Sequence, residues 1–373
     1  MAALRMSGRS TPRPMTDPPA SRQSNLANLA NLAKLALMVA VAFAGGWAVD
    51  RIGAPAGWLS GSMLATAALA AANLAAPLPG SFRWIAMILS GIVIGSAATP
   101  DVMKSMAAYP ASLALMLAAV VVSTIVCERF LVRFPGWSPA TAFFAAVPGA
   151  LSYVFAMATT VPNADLRRVA VVQVLRVFLL MGLAPLIVAE SGASIGGAPS
   201  GAVDSAATLA ILLPVGAAAG FALEKARVAG GLLFGAMIVS GLAHAIGWAP
   251  GRPPALATIG AQVAIGLWVG ARFVDFEWRL LGRSAAAAFG AFALAVAVTA
   301  VFAALATFAL SIPFAQTAIA FAPGGLEAMT LLAFALGLDP LYVGAHHLAR
   351  FMAIAMALPF AMRLRARFDD RQK

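Results

Sequence analysis

The sequence predicts an all-α protein that crosses a membrane many times and is built from two homologous repeats. Three observations predict this fold. Hydrophobic residues make up 62% of the chain and charged residues 10%, whereas soluble domains carry about 25% charged residues. Apolar stretches recur that suit membrane helices, each of which needs about 20 residues. Short motifs of the first half also return in the second half at a nearly constant spacing.

The basic residues favour a lipid bilayer as the partner of this chain rather than nucleic acid. The net charge is +11, but the Arg and Lys residues lie between apolar stretches and form no soluble recognition module. The single cysteine, Cys127, excludes an internal disulfide and is expected to be a buried thiol. The chain has three histidines, too few for a converging copper or iron centre, so we predict no metal and no cofactor.

The internal repeat is clearest where residues 146–151 match residues 321–326. Further aligned pairs are Gly91 with Gly266, Gly95 with Gly270, Asp165 with Asp339, Gln173 with His347, and Arg176 with Arg350. The spacing of some pairs differs by a single position from that of the others. Insertions in loops produce such differences, so the matches indicate a duplication.

Each half contains six apolar segments. They lie at 35–49, 57–76, 84–99, 107–127, 140–160 and 168–189, then at 206–223, 228–246, 256–271, 284–310, 317–336 and 341–362. We predict a disordered cytoplasmic tail at 1–33, a first repeat at 34–190, a flexible linker at 191–205, a second repeat at 206–363 and a basic cytoplasmic tail at 364–373. The first tail lacks the compact apolar region of a signal peptide.

The basic residues also predict the topology. If all twelve segments crossed, Arg272 and Arg279 would lie outside, against the preference of Arg and Lys for the cytoplasm. If the fifth segment of each half instead enters and leaves on one side, the outer loops keep only Arg51, Lys104 and Arg252. This predicts ten spanning helices, two re-entrant segments, and both termini in the cytoplasm of a bacterial inner membrane. Five spans per repeat would invert the second repeat, as in many secondary transporters.

The fifth segments carry the candidate site, because Pro148-Gly149 and Pro323-Gly324-Gly325 would break their helices at membrane depth. Such a break must face protein or a water-filled cavity. Its unpaired amides and carbonyls suit an ion or a polar solute, and the alternative is a kink packed against neighbouring helices.

Ionisable residues near these breaks extend the candidate site. Glu327 is predicted to couple protons, to contact substrate or to form a structural hydrogen bond. Arg176 and Arg350 keep their charge, so each needs a negatively charged or carbonyl partner. Three partners are possible: an acidic side chain, of which Glu327 is the best available, the carbonyls at the breaks, or the substrate. One of His346 and His347 is expected to relay protons, since neighbours on a helix point about 100° apart.

The motifs Pro-Gly-Ala-Leu-Ser at 148–152, Pro-Gly-Gly-Leu-Glu at 323–327 and His-His-Leu-Ala-Arg at 346–350 resemble the AbrB-type membrane proteins. The resemblance covers roughly residues 35–365 and implies two copies of a duplicated domain. Many members carry the label ammonia monooxygenase, and the family name implies regulation of gene expression. Ser152 and Gln173 stand where the second half has Glu327 and His347, so the resemblance does not imply a symmetric site.

Three functions remain open. A secondary transporter or permease for a small solute or ion is favoured by the inverted repeats and the ionisable groups at the breaks. A membrane-bound regulator would need a route to a soluble partner, which short loops do not offer. A membrane monooxygenase, the only enzyme considered, would need more metal ligands. No ATP-binding loop is found, and whether copies of the chain associate is left open.

Overall fold

The structure, a computed structural model, describes residues 20–98, 109–149, 151–190, 202–274 and 276–369. The chain is helical throughout these ranges and contains no β-strand there, which confirms the all-α class. A short 3-10 turn, Ala271–Phe273, follows the tenth helix. In chain order the helices are α1 (Ala20–Arg51), α2 (Gly57–Ala71), α3 (Gly80–Gly95), α4 (Tyr109–Arg133), α5 (Pro139–Ala146), α6 (Leu151–Ala158), α7 (Leu166–Glu190), α8 (Ala206–Lys225), α9 (Gly231–Ala245), α10 (Ala255–Gly270), α11 (Trp278–Leu310), α12 (Phe314–Phe321), α13 (Leu326–Ala335) and α14 (Pro340–Asp369).

Seven of these helices, α1, α4, α7, α8, α10, α11 and α14, are long and apolar enough to cross a membrane. The chain is therefore a membrane protein. Of the other three expected spans, α2 and α9 have only 15 residues and are shorter than predicted, whereas α3 has the predicted length of 16 residues but begins four residues earlier. Helix α2 ends early because Asn73 adopts a left-handed backbone conformation (φ 59) and because prolines follow at 77 and 79.

The tails predicted at 1–33 and 364–373 are partly helical. Helix α1 already begins at Ala20, since the apolar pattern continues into residues 20–33, and α14 continues to Asp369 through Pro359, which does not end the helix. Residues 1–19 and 370–373, which make up the rest of the two predicted tails, lie outside the described ranges.

The linker predicted at 191–205 is held in place at its described end, while residues 191–201 lie outside the described ranges. The backbones of residues 202–204 and Arg252 exchange two hydrogen bonds of 2.8 and 2.9 Å. The buried Asp204 carboxylate accepts from Gly251 N at 3.0 Å and pairs with His244 Nε2 at 3.1 Å. A buried carboxylate needs such partners, and they join residues 202–204 to Arg252 and His244.

Helices of the two halves pack in matching pairs. Helix α1 lies on α2 and α8 on α9, while α3 lies on α9, α10 on α2, and α4 on α11. Glycines four residues apart, Gly91 and Gly95 in α3 and Gly266 and Gly270 in α10, allow these helices to approach their neighbours closely. A Cβ atom at Gly95 would lie 2.5 Å from Met237 O, and one at Gly270 would lie 2.6 Å from Met63 O.

Each fifth segment is a broken pair of short helices whose two ends lie together. In the first pair, α5 and α6, Ser138 Oγ donates to Asn163 O at 2.9 Å and Asp165 N donates to Thr141 Oγ1 at 2.9 Å. In the second pair, α12 and α13, Asp339 N donates to Gln316 Oε1 at 3.4 Å. Each pair therefore starts and ends at the same place and forms a hairpin.

The two hairpins open at opposite ends of α4. The Tyr109 hydroxyl, at the start of α4, donates to Asp339 at the opening of the second hairpin, over 3.2 Å. The chain leaves the other end of α4 at Arg133 and reaches Ser138, at the opening of the first hairpin, after a short turn in which Trp137 N donates to Leu131 O. A helix of 25 residues separates the two openings by about 37 Å.

Candidate functional site

Arg350 holds the break of the second hairpin. It is the eleventh residue of α14 and is buried. Its guanidinium donates to Ala322 O and to Gly324 O, both over 2.6 Å. These carbonyls follow the last turn of α12, where no intrahelical donor is available, and the negative end of a helix dipole favours a cation.

Arg176 holds the break of the first hairpin in the same way. It is also the eleventh residue of its helix, α7, and is buried. Its guanidinium donates to Val147 O at 3.2 Å, to Ala146 O at 3.4 Å and to Gln173 Oε1. Its Nε is buried without a hydrogen-bond partner among the described residues. Of the three kinds of partner considered for the two arginines, the structure therefore shows the backbone carbonyls at the breaks.

The hydrogen bonds of the two breaks correspond to one another. Gln173 donates to Phe144 O at 3.0 Å, and its counterpart His347 donates at 3.1 Å to Ile319 O, the acceptor at the equivalent position of the second half. Val147 O and Ala322 O, which are equivalent in the same way, accept from the two arginines. Gln173 and His347 in turn each accept from the arginine one turn further along the same helix.

His347 has only one tautomer that satisfies its partners. Its Nε2 faces Ile319 O at 3.1 Å and its Nδ1 faces Arg350 at 2.6 Å. A carbonyl only accepts and a guanidinium only donates, so the proton lies on Nε2 and the ring is neutral. His347 therefore positions Arg350 and does not suit the proton-relay role that the sequence left open between the two histidines.

His346 is also buried but has a different set of partners. Its Nδ1 faces Tyr342 O at 2.8 Å and its Nε2 faces Ser112 Oγ at 2.8 Å. Its ring lies 4.0 Å from that of Tyr342 and 5.9 Å from that of Phe321. The two adjacent histidines thus face separate environments, as helix geometry predicts.

The two breaks meet near the arginines. Gly149 has a φ of 89, and a Cβ atom there would lie 3.6 Å from Arg350 Nε of the other half. A Cβ atom at Gly325 would lie 4.0 Å from Val177, the residue next to Arg176. Pro148, Pro323 and Gly324 are buried in the same two breaks.

Glu327 lies apart from the two arginines. It is half-buried in the first turn of α13, where the helix dipole favours a carboxylate, and its electrostatic partner is Arg272. The Arg272 guanidinium in turn stacks over the Trp268 ring at 4.5 Å. Of the three anions left open for Arg176 and Arg350, the structure therefore shows the break carbonyls in contact with both guanidinium groups, while Glu327 faces Arg272 instead.

Two further features of the site were not predicted. Ser112 contacts His346 although the two lie 234 residues apart, and no local pattern signals such a pair. An apolar cavity lies between α7, α11 and α12, and Ala322 and Pro323 of the second break are among its lining residues. Among the described side chains, no three His, Cys, Asp or Glu residues lie close enough to hold a metal ion.

Comparison with known proteins gives one family. No curated protein and no solved structure matches the chain. Two overlapping stretches, residues 3–96 and 58–366, match the family described as "Transition state regulatory protein AbrB". The second stretch alone covers more than half of the 373 residues. The chain therefore belongs to the AbrB family, as its Pro-Gly and His-His-Leu-Ala-Arg motifs indicated.

Proposed function

We propose that this protein is a secondary transporter or permease for a small solute or ion in the bacterial inner membrane. The observation that carries the proposal is the meeting of two opposed helix breaks, each held by a buried arginine. Secondary transporters bind their solutes at such breaks, between inverted repeats and near the bilayer midplane.

The contacts of the described residues support an inverted duplication with re-entrant hairpins. The hydrogen bonds of the two breaks join equivalent positions of the two halves, and the helix pairs of one half recur in the other. The hairpins open at opposite ends of α4, as two re-entrant segments entering from opposite faces would. Under this proposal α2, α3 and α9 are short spanning helices, and both termini lie in the cytoplasm.

The chemistry of the breaks favours a solute with an acceptor oxygen, such as a small organic anion. Arg176 Nε is a charged donor, buried and without a hydrogen-bond partner among the described residues. A buried donor of this kind is costly unless an acceptor reaches it. Arg350 Nε is the guanidinium atom nearest to a Cβ atom placed at Gly149, at 3.6 Å, so a donor of this arginine lies beside the break of the other half.

A ligand screen on the purified, detergent-solubilised protein tests the proposal. We expect a small organic anion to raise the melting temperature by mass action, whereas amino acids without a second carboxylate and metal ions have a smaller effect. The effect should be lost in Arg350→Lys, whose own melting temperature shows whether it is folded. Proteoliposomes should then accumulate that anion. Flux no greater than in empty liposomes for every stabilising ligand would refute transport.

The family description supplies a second candidate, a regulatory role. In the described part of the chain the segments between helices are short, so regulation would act through the membrane domain itself. A deletion strain separates the two candidates. The deletion strain is complemented with Arg350→Lys, which binds no solute. If this variant returns gene expression to its normal level, regulation is favoured over transport.

A further inference from the structure

A group of polar residues connects the opening of the second hairpin with the arginine at its break. Asp339 is half-buried at the opening and accepts from the Tyr109 hydroxyl at 3.2 Å. The Tyr342 hydroxyl is buried, lies close enough to Ser112 for a side-chain hydrogen bond, and feels the charge of the Asp339 carboxylate. Ser112 Oγ then reaches His346 Nε2 at 2.8 Å, and His346 lies one helical turn from Arg350.

Both protonation states of His346 can be satisfied without moving a heavy atom. Nδ1 faces a carbonyl and must carry a proton, so Nε2 is the nitrogen that gains or loses one. The Ser112 hydroxyl has one proton and two acceptors within reach, His346 Nε2 at 2.8 Å and Tyr109 O at 3.0 Å. With neutral His346, Ser112 donates to Nε2. With protonated His346, Nε2 donates to Ser112, whose own proton turns to Tyr109 O.

The neighbouring His347 offers no such choice, because protonation of its Nδ1 would place an N–H against the Arg350 guanidinium. The titratable or charged groups around His346 are Tyr342, His347 and Arg350 of its own helix, Tyr109 of α4, and Asp339 before α14. Phe321 of α12, stacked on the ring, is uncharged. The positive charge of Arg350 disfavours protonation of His346, and the negative charge of a bound anion would offset this effect.

We propose that His346 is the proton-binding site of this protein, loaded from the Asp339 face through Tyr109, Tyr342 and Ser112, and that the proton is carried together with an anionic solute. This inference rests on the proposed function. Loading adds one proton to Nε2 and makes the ring a cation one turn from Arg350. Protonated His346 strengthens binding of the anionic solute, and the bound solute strengthens protonation of His346 by the same coupling free energy. Release of the anion then returns the proton from Nε2.

The position of Asp339 also suits it as the entrance of the proposed proton route. The carboxylate lies outside the membrane-spanning segments, and burial raises its pKa above the usual range although two backbone amides and the Tyr109 hydroxyl oppose the shift. A carboxyl group that protonates more readily than usual can pass protons inward. The first half has Asp165 at the same place but Val172 where the second half has His346, so only the second hairpin would carry protons.

The protein has three histidines, so nitrogen NMR of histidine-labelled full-length protein in nanodiscs tests the proposal directly. His346→Gln and His347→Gln assign the signals. As pH is raised from about 4 to about 9, across the ordinary histidine pKa, we expect His346 Nε2 to change from a protonated to a bare nitrogen while Nδ1 stays protonated. His347 Nδ1 should stay bare throughout. The proposal is overturned if His346 does not titrate, or if His347 titrates instead.

Two variants separate proton binding from a merely structural role. Ser112→Ala removes the acceptor for protonated Nε2, so the His346 midpoint should fall to lower pH, while Ser112→Thr should retain it. The His244 signal, whose ring pairs with Asp204, reports whether each variant is folded. An unchanged midpoint in folded Ser112→Ala contradicts the route through Ser112.

A stabilising anion tests the coupling. Its addition should raise the His346 midpoint, and His346→Gln should bind the anion with a weaker dependence on pH. If no anion binds, the proposed function fails while the NMR titration still decides proton binding. If an anion binds but the midpoint stays constant, the transport proposal survives and the coupling to protons is wrong.

Discussion

The buried polar side chains at the two helix breaks are explained by the backbone groups that they satisfy. Arg176 and Arg350 pair with carbonyls at the ends of α5 and α12, and Gln173 and His347 fill the remaining acceptors. Glutamine and neutral histidine each combine a donor with an acceptor, and Gln173 uses its second N–H on Val147 O, which explains why different residues hold the same place in the two halves. Substitutions at Arg350, His347 and Asp339 test this explanation one residue at a time.

Replacing Arg350 should destabilise the protein according to how many carbonyls are left unpaired. Arg350→Ala exposes two buried acceptors, each costing about 1 to 3 kcal/mol. Arg350→Lys should cost less, since one ammonium group can reach one carbonyl. Denaturation of the purified protein measures both. Arg363→Ala, at an exposed position of the same helix, is the control and should be nearly neutral. Equal losses for Arg350→Ala and Arg363→Ala would contradict the assignment.

His347→Gln should be tolerated, because Gln173 already performs the same two hydrogen bonds in the first half. His347→Leu should cost about 1 to 3 kcal/mol more, since Ile319 O loses its buried donor. Thermal unfolding of the two variants provides the comparison. A glutamine variant as unstable as the leucine variant would show that ring packing, rather than hydrogen bonding, decides this position.

Asp339 should make stability fall with rising pH. Burial raises the pKa of its carboxyl group, so the native state binds the proton more tightly than the unfolded chain does. The stabilisation is fully present below the unfolded pKa of about 3.9 and is lost as pH rises through the folded pKa. Asp339→Asn keeps an acceptor for Leu341 N and Tyr342 N and should remove this dependence. Melting curves across pH test it, and identical slopes for both proteins would contradict it.

At the scale of helices, close packing depends on glycines that face backbone atoms of a neighbouring helix. Gly95 of α3 and Gly270 of α10 do so, whereas a Cβ atom at Gly260, also on α10, would meet only a side-chain atom of Leu89, at 3.5 Å. Backbone atoms cannot move aside as the end of a side chain can, so equal substitutions on one helix should have unequal effects.

Gly270→Ala should therefore destabilise the protein by about 1 to 3 kcal/mol through overpacking. Its Cβ atom would lie 2.6 Å from Met63 O, and α2 and α10 would have to separate. Gly260→Ala is the matched control on the same helix and should be neutral or slightly stabilising, since alanine favours helix. Thermal unfolding compares them, and a Gly260 variant that is the less stable one would refute the packing assignment.

At the scale of the whole molecule, the two hairpins decide the topology. A hydrogen bond between Ser138 and Asn163 closes the first hairpin, and one between Gln316 and Asp339 closes the second. The two closures lie at opposite ends of α4. This arrangement agrees with the preference of basic residues for one face and is the one that the proposed inverted repeats would produce. A test of sidedness therefore examines the proposed topology directly.

Single cysteines at the two openings should react from opposite faces of the membrane. Pro162 and Pro313 are both exposed and lie at the openings of the first and second hairpin. In a Cys127→Ala background, an impermeant maleimide added to intact spheroplasts should label Pro313→Cys, and added to inverted vesicles it should label Pro162→Cys. Labelling of both positions from one face would exclude the inverted arrangement.

The sequence by itself determined the membrane class, the family and the positions of both Pro-Gly breaks with their arginines. These are local properties, because hydrophobic length, helix breakers and short motifs depend on neighbouring residues. Only the tertiary structure decided that α2 and α9 are short, which of the anions left open contact the arginines, and that Ser112 contacts His346. Such contacts join residues as far as 234 positions apart, and they depend on how helices pack rather than on any pattern along the chain.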